Sequence, residues 1–575
     1  MVRLPVIVGF GGYNAAGRSS FHQGFRRMVL ESLTSQQRDE TLLGLATQMQ
    51  IVRHADGYYI DSHGHPYTAA EVVQEFSRYI QDETLVRYFE EPPSAHNDAF
   101  YEKIAVRSAG QLPTGFNPGD HYRSQFHPRG LQLAIMGASD AVRSLGMDWH
   151  QILDQVPPDQ VAVYSSSAMS QMDENGYQGL LQARLQGRRV TAKQLPLGLN
   201  SMPTDFINAY VLGSVGSTGS MTGACASFLY NLRLGVQDIQ AGRSRVVLLG
   251  NSEAPLTREV IDGYSAMSAL ATDAGLIKLD GGDQADYRRA CRPFSDNCGF
   301  TLAESAQYVV LMDDELAVSL GLHIHGAVTD VFVNADGNKR SISAPGAGNY
   351  LTLAKAVASA CVMLGDEAVQ QRSWLQAHGS STPQNRVTES AIFDKVAGAF
   401  GISQWPVTAV KSYVGHSLAP ASGDQLAATL GSFAHGLLPG IKTIDHVADD
   451  VFSERLDFPM QDVARDMDVA FVNSKGFGGN NATAVVLSPA VVTRMLTKRY
   501  GDAAMSEYAK RQATVAEQAQ RYHQDAVQGD LQPLYQFGEA VIEDADIMMS
   551  REEIRLPGFK EAIHLAMPNR YDDIC

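Results

Sequence analysis

The stretch Ser217-Thr-Gly-Ser-Met-Thr-Gly-Ala-Cys225-Ala-Ser-Phe-Leu-Tyr-Asn-Leu232 decides how the rest of the chain is read. Small residues lead up to one cysteine. Apolar side chains then recur at helical spacing, Phe228, Leu229, Leu232, Val236 and Ile239, and Gly242 is a stop signal. The apolar run Val246–Leu249 that follows has the length of a buried strand. This succession of turn, helix and strand belongs to an α/β domain. It places Cys225 at a helix N-terminus, where free N–H groups and the helix dipole favour a thiolate over a thiol of ordinary pKa about 8.5. A buried cysteine in a turn of small residues is the competing reading.

Outward from this segment, Pro5–Phe10, Val161–Tyr164, Tyr308–Met312, Ala470–Val472 and Thr483–Leu487 are further strand-length apolar runs. Leu131–Leu145 and Ala419–Leu437 carry helical patterns. Pro5–Phe10 enters a glycine-rich turn, so it reads as strand and turn rather than as a leader peptide. Between about residues 21 and 129 the patterning changes. Phe25–Met49 and Ala70–Phe89 show helical spacing, and Ser94–Arg129 is rich in Gly, Pro and polar residues, as in an insertion or cap. Beyond Ser488, Leu496, Tyr500, Tyr508, Val515 and Tyr522 recur at helical steps broken only by Gly501, which predicts an amphipathic helical extension packed on the core or on a partner.

Composition narrows the function classes. The 575 residues are 44% hydrophobic and 19% charged, an ordinary globular balance. A net charge of −17 argues against sequence-independent nucleic-acid binding, which needs a positive footprint. Five cysteines without a CxxC pair make neither a disulfide framework nor a thiolate metal site, and no metal is expected. No apolar run approaches the roughly 18 residues of a membrane span, so a cytoplasmic setting is expected.

Three more segments carry reactive side chains. Ser373-Trp-Leu-Gln-Ala-His378-Gly-Ser380-Ser-Thr382-Pro383 delivers a histidine from a short strand into a loop of hydroxyls, with Glu389 further on. Val407-Thr-Ala-Val-Lys411-Ser-Tyr-Val-Gly-His416 presents a lysine and a histidine at another strand end. Asn473-Ser-Lys475-Gly476-Phe477-Gly478-Gly479-Asn480 joins two strands, and its glycines let backbone N–H groups approach a ligand. Either histidine alone reads more readily as a satisfied core or loop residue than as a reactive one.

Together and in this order, the four segments resemble the motifs of the β-ketoacyl-acyl-carrier-protein synthases of the thiolase superfamily. Arg292-Pro-Phe294, Gly299-Phe300 and Glu304 resemble a fifth motif between the halves. The opening segment, the insertion and the extension are similar to those of FabY-type starter synthases. The resemblance implies a duplicated αβαβα five-layer sandwich. Its N-terminal half would span residues 1–290 with the nucleophile and the insertion at about 21–129. Its C-terminal half would span 291–490 with the histidines, and a helical extension would occupy 491–575.

The same resemblance implies an acyltransferase. An acyl thioester, acetyl-CoA in the starter synthases, acylates Cys225. Malonyl-carrier protein then loses CO2, and the enolate, stabilised by His378 and His416, attacks to give a β-ketoacyl thioester. Cys225 and Phe477 N–H groups would form the oxyanion hole, with Phe477 also gating. Lys411, paired with Glu389, would balance charge. Glu304, Thr382, Gly476 and Gly478 are supporting positions. No cofactor beyond the phosphopantetheine-bearing substrates is implied. Expected partners are acyl carrier protein, acyl-CoA and a second copy in a homodimer.

An elongating synthase using longer acyl-carrier donors is the neighbouring alternative, and a non-catalytic carrier-binding subunit the alternative of another class. Four positions depart from the family pattern: Arg386 for an acid, Gln425 for a glutamate, Lys475 for a phenylalanine, and Ser295-Asp-Asn-Cys298 for a longer segment. Arg26, Arg27, Arg123, His127 and Arg129 are candidates for a basic patch facing an acidic carrier protein.

Overall fold

A computed structural model describes residues 2–53, 56–61, 64–76, 87–88, 105–342 and 344–574. The strands that carry the architecture are, in chain order, β1 (Pro5–Asn14), β2 (Val161–Ser166), β3 (Thr218–Gly219), β4 (Val246–Glu253), β5 (Ser305–Asp313), β6 (Gly326–Ala335), β7 (Ser373–Gln376), β8 (Trp405–Thr408), β9 (Leu456–Asp457), β10 (Val469–Gly476) and β11 (Asn480–Leu487). They are hydrogen-bonded in the order β9-β8-β7-β10-β11-β6-β1-β5-β4-β2-β3, with the short strand Gly17–Arg18 folded back on β1.

The order contains a duplication. From β1, the neighbours β5 and β4 run antiparallel in turn, then β2 and β3 are parallel. From β6, the neighbours β11 and β10 run antiparallel in turn, then β7 and β8 are parallel. The halves meet where β1 and β6 share the two pairs Val6–Ala327 and Ile7–Gly326.

Helices make the other layers. Helix α1 (Arg129–Arg143) covers the outer face of β1, β5 and β4. Helix α2 (Ser227–Gln240) and helix α5 (Ala421–His435) touch each other between the two halves of the sheet. Helix α3 (Gly348–Leu364) covers β6 and β11, with α4 (Pro383–Phe400) beside it. The layers are therefore α, β, α, β, α, as the resemblance implies.

Strand alternation explains the burial. On β4, Val247 and Leu249 enter the middle layer with Phe228, Leu232, Leu426 and Val472, while Val246 and Leu248 face the outer core with Leu131 and Ile135. Both faces of each sheet are covered by helices, so its strands are apolar throughout.

The segments outside this core differ from expectation in part. Helices Gln23–Met28 and Ser35–Gln48 pack on α5 and on the C-terminal helix, so the described start of the insertion is wedged between core and tail. Among the described residues of the insertion, only its end reaches the nucleophile, where Val106 is buried with Cys225, Phe300 and Leu418. The helical pattern of Ala70–Phe89 survives as a helical segment, Ala69–Glu71 continuing through Val72–Phe76; residues 77–86 and 89 of that run, and 94–104 of the next, lie outside the described residues.

The C-terminal extension is helical only in its first part. Helix α6 (Pro489–Tyr500) and helix α7 (Asp502–Val527) flank Gly501. Tyr508, Val515 and Ala526 of α7 are buried, and Tyr522 donates to Asp140 at 2.7 Å. After Val527 the chain is irregular apart from one 3₁₀ turn (Asp544–Asp546) and a small three-stranded sheet, because Gly529, Pro533, Gly538, Pro557 and Pro568 interrupt any longer helix.

Candidate active site

Cys225 sits in a tight elbow between β3 and α2. Ala224, just before it, has a left-handed backbone with φ of 51°, an uncommon conformation for a residue with a Cβ. The elbow is held from within: Ser227 Oγ donates to the Ala224 carbonyl at 2.6 Å and accepts from the Gly223 N–H at 2.9 Å. It is held from across the molecule by Ser474, whose hydroxyl donates to the Cys225 carbonyl at 3.1 Å. Gly476 packs so closely on the elbow that a Cβ there would lie 2.1 Å from the Gly223 carbonyl oxygen. Backbone N–H groups of Phe477 and of Cys225 itself are directed at the Cys225 sulfur. These two donors and the sulfur form a preorganised cradle for an oxyanion.

The helix N-terminus does not make this cysteine a thiolate. Burial dominates and, with Glu253 nearby, pushes the thiol up to about 11, although Lys411 pulls the other way. Beside the sulfur lies a cavity of about 370 Å³, lined mainly by apolar side chains including Met169, Met172, Val260, Tyr264 and Phe477.

The two histidines meet with ring centroids 5.3 Å apart and planes at 86°. Their hydrogen bonds fix their tautomers. Lys411 Nζ donates to the His378 carbonyl at 2.5 Å and lies 3.4 Å from His378 Nδ1, which accepts from the ammonium. The Leu418 N–H donates to His416 Nδ1 at 3.2 Å. Both Nδ1 atoms act as acceptors, so in the neutral rings each Nε2 carries the proton and can donate it. Burial first, then the Lys411 charge, holds both imidazoles well below the usual histidine range and so keeps them neutral. Phe300 backs His416 at 5.1 Å, and the His416 N–H donates to Thr301 at 2.7 Å, which gives the Gly299-Phe300 segment its place at the site.

Glu389 is beside the cluster but is not paired with Lys411. Its carboxylate accepts from the N–H groups of His378 at 2.7 Å and Gly379 at 2.9 Å, from Asn473 at 3.0 Å and from Asn385 at 2.9 Å. Four donors saturate it, and it fixes the His378 loop to β10. Thr382 caps α4 through the Asn385 N–H at 3.4 Å and lies 3.3 Å from the Ser380 hydroxyl. Gly478 has φ of 81° in the turn beyond Phe477. Glu304 grips Arg129 at 2.7 and 2.9 Å and the Leu112 N–H at 3.0 Å, so it anchors the end of the insertion rather than a reacting group.

That pairing commits Arg129 internally. Arg27 is buried and donates to the Ala15 carbonyl at 3.0 Å, so neither arginine is available for a basic docking patch, whereas Arg123 is exposed. Among the departures from the family pattern, Arg386 is spent on Asp450 at 2.8 and 3.0 Å and on Asp296 at 3.3 Å. Gln425 donates to the carbonyls of Gln376, Ala377 and Asn473 at 2.9, 2.7 and 3.0 Å, tying β7 to β10 as a carboxylate could not.

Sequence reasoning passed over three residues here. Glu253 at the end of β4 is buried, is pushed up to about 7 by burial, and holds the loop Ser167–Met169 that lines the cavity, at 2.6 to 3.2 Å. Asp424 accepts from Asn14, Ser305 and Ser417 at 2.9, 2.8 and 2.6 Å. Ser474 is the third. A polar residue ending a buried strand was the available signal for Glu253 and Ser474.

Among the described residues, no three His, Cys, Asp or Glu side chains are placed to hold a metal, and no helix is long and apolar enough to cross a membrane. The profile of the β-ketoacyl synthase N-terminal domain matches residues 80–317, and that of the C-terminal domain matches residues 325–445. The chain is 54% identical to the β-ketoacyl-acyl-carrier-protein synthase FabY of Pseudomonas aeruginosa over the full length of both.

The chain belongs to the β-ketoacyl synthase family.

It superposes on the crystal structure of the ketosynthase FabY from P. aeruginosa with a TM-score of 0.97 at 53% identity, covering 100% of this chain and 99% of that one. A 3-oxoacyl-acyl-carrier-protein synthase 2 from Staphylococcus aureus is 28% identical over 67% of this chain and 90% of its own length. A β-ketoacyl synthase from Burkholderia phymatum shares the fold at a TM-score of 0.62 and 19% identity, over 85% of this chain and 100% of that one. The five layers are thus the ketosynthase fold of the thiolase type. The matched regions include Cys225, His378 and His416, while Lys475 and Phe477 lie beyond the second profile.

Proposed function

We propose that this ketosynthase performs a decarboxylative Claisen condensation on Cys225, with acetyl-CoA as acyl donor and malonyl-carrier protein as extender. The observation that carries the reading is the convergence of a nucleophile, two N–H donors aimed at it and two neutral histidines with free Nε2–H groups. In the first half-reaction the Cys225 sulfur adds to the thioester carbonyl while its oxygen takes the Cys225 and Phe477 N–H groups. The coenzyme A sulfur then leaves, and the thiol proton of Cys225 ends on it. In the second, the bond from the malonyl Cα to its carboxyl breaks, CO2 departs, and the electron pair becomes an enolate. His378 and His416 donate Nε2–H to its oxygen. The enolate carbon attacks the acyl carbonyl, and the Cys225 sulfur leaves as a thiolate that takes a proton from solvent to restore the thiol. Neutral donors suit this step, because charge develops only as CO2 leaves. None of these steps requires a metal or redox cofactor.

Support for the acetyl donor is the full-length likeness to FabY. The neighbouring reading, elongation of longer acyl-carrier chains, is favoured by the cavity of about 370 Å³ beside Cys225, which is more room than an acetyl group needs. Partnership with an acyl carrier protein follows the same reasoning; a polyketide-type ketosynthase with the same fold at 18% identity and a TM-score of 0.60 has been solved with its carrier protein bound. We also place the dimer contact at β3, the end strand of the sheet, beside the exposed side chains Leu199, Val215 and Met221. The test is product formation from malonyl-carrier protein with acetyl-CoA or octanoyl-carrier protein. A β-ketobutyryl product formed at least about tenfold faster than the long-chain product supports the starter role, and the reverse order supports elongation.

A further inference from the structure

Lys475 stands where the family carries a phenylalanine, and the mechanism above does not use it. It lies on β10 two residues after Asn473, and side chains two apart on a strand share a face. On that face Asn473 holds Glu389, which in turn holds the His378 N–H. Two residues further on is Phe477, whose N–H points at the Cys225 sulfur. Lys475 is thus bracketed by the two parts of the reaction centre, and its charge is felt at His378.

The ammonium has no partner. Among the described residues it makes no hydrogen bond and no ion pair. The two carboxylates near it are already engaged. Glu389 accepts four donors. Asp336 accepts from Gly348 at 3.0 Å and Asn481 at 2.8 Å and faces Lys339 at 3.6 Å. A half-buried cation with no counter-ion among the described residues, beside a site that in the reading above handles anionic thioesters, suits a carboxylate.

We infer that Lys475 is the recognition subsite for the free carboxylate of the malonyl extender and determines its selection over neutral thioesters. The inference rests on the condensing reading above. Lys475 takes no part in bond making. It binds the carboxylate before decarboxylation, and its hold slackens as the charge passes to the oxygen faced by His378 and His416. Such binding favours the ground state, so its loss raises KM for the extender without lowering kcat.

The test compares Lys475→Met and Lys475→Arg with the parent in two ways. In a Cys225→Ala background, calorimetry measures a stable malonyl amide of pantetheine, which lacks the phosphate, and its methyl ester. The parent should prefer the acid over the ester on the order of tenfold to a hundredfold. Lys475→Met should abolish the preference and Lys475→Arg should restore most of it. With Cys225 present, Lys475→Met should raise KM for malonyl-carrier protein by a similar factor with no fall in kcat.

An acid-to-ester ratio indifferent to Lys475→Met, or a fall in kcat at constant KM, would overturn the inference. So would tight binding seen only for phosphopantetheine probes and equal for acid and ester, which would assign the cation to the phosphate. Failure of Cys225 in the parent to take an acyl group would overturn the condensing reading instead, a result that the binding ratio distinguishes.

Discussion

The two halves of the molecule share one strand pattern and carry opposite chemistry at corresponding ends. In the first half, β3 leads through a strained elbow to Cys225 and α2. In the second, β8 leads to Lys411, His416 and α5. The end of β4 carries Glu253, and the corresponding end of β10 carries Lys475, with Phe477 just beyond it in the turn. One half holds the Cys225 sulfur beside an apolar cavity; in the proposed mechanism the other supplies the two histidines and the Phe477 N–H that answer developing negative charge, alongside the N–H of Cys225 itself. A sheet that buries both faces leaves only strand ends free for polar groups, so duplication places two sets of strand ends face to face. The difference teaches that the proposed reaction centre is an interface between the halves, and each half can be broken separately.

The largest effect is expected from Cys225→Ala. Removal of the nucleophile should lower condensation by about 10⁴-fold or more while the fold persists, measured as product per enzyme. Next are His378→Ala and His416→Ala. Loss of one enolate donor should cost on the order of 10² to 10³ in condensation, yet Cys225 should still accept an acyl group from the donor thioester. Equal loss of both half-reactions would erase the division of labour between the halves.

Gly476→Ala tests the seam itself. A Cβ 2.1 Å from the Gly223 carbonyl oxygen forces the backbone apart, so stability should fall by about 1–3 kcal/mol and acylation should slow as the Phe477 N–H loses its aim. A denaturation midpoint and acylation rate equal to the parent would show that the contact is slack.

The smallest effect concerns pH. Burial raises the Cys225 thiol to about 11, so the neutral form is favoured in the folded protein and the thiolate gains population only as pH rises. Alkylation of Cys225 by iodoacetamide should therefore keep rising above pH 9. A plateau by pH 7 would mean that the helix dipole and Lys411 outweigh desolvation.

The comparison also separates what was legible in the sequence from what was not. Apolar runs such as Val246–Leu249 and Thr483–Leu487 were readable because a strand covered on both faces leaves no polar interruption. Cys225, His378, Lys411 and His416 were readable because each follows such a strand in a loop of small residues. Partners were not readable. The family resemblance paired Glu389 with Lys411, but its lone pairs go to backbone N–H groups and to the Asn473 and Asn385 amides, a choice fixed only by three-dimensional packing. Ser474 and Glu253 were missed because a strand of mostly apolar residues gives no hint that its polar end meets the other half. Arg27 and Arg129 looked like surface charge, since composition cannot tell a solvated arginine from one gripping a carbonyl or a buried glutamate. The tail pattern held through Val527 because Tyr508 and Val515 had a core to pack against, and it ended where glycine and proline make a helix costly.

The most direct test of the central claim is intact-protein mass after incubation with acetyl-CoA, and separately with octanoyl-carrier protein, followed by malonyl-carrier protein. The account predicts one acyl adduct on the parent, none on Cys225→Ala, and an adduct on His378→Ala that malonyl-carrier protein does not discharge at the parental rate. An adduct that survives in Cys225→Ala, or its absence from the parent with both donors, would contradict it.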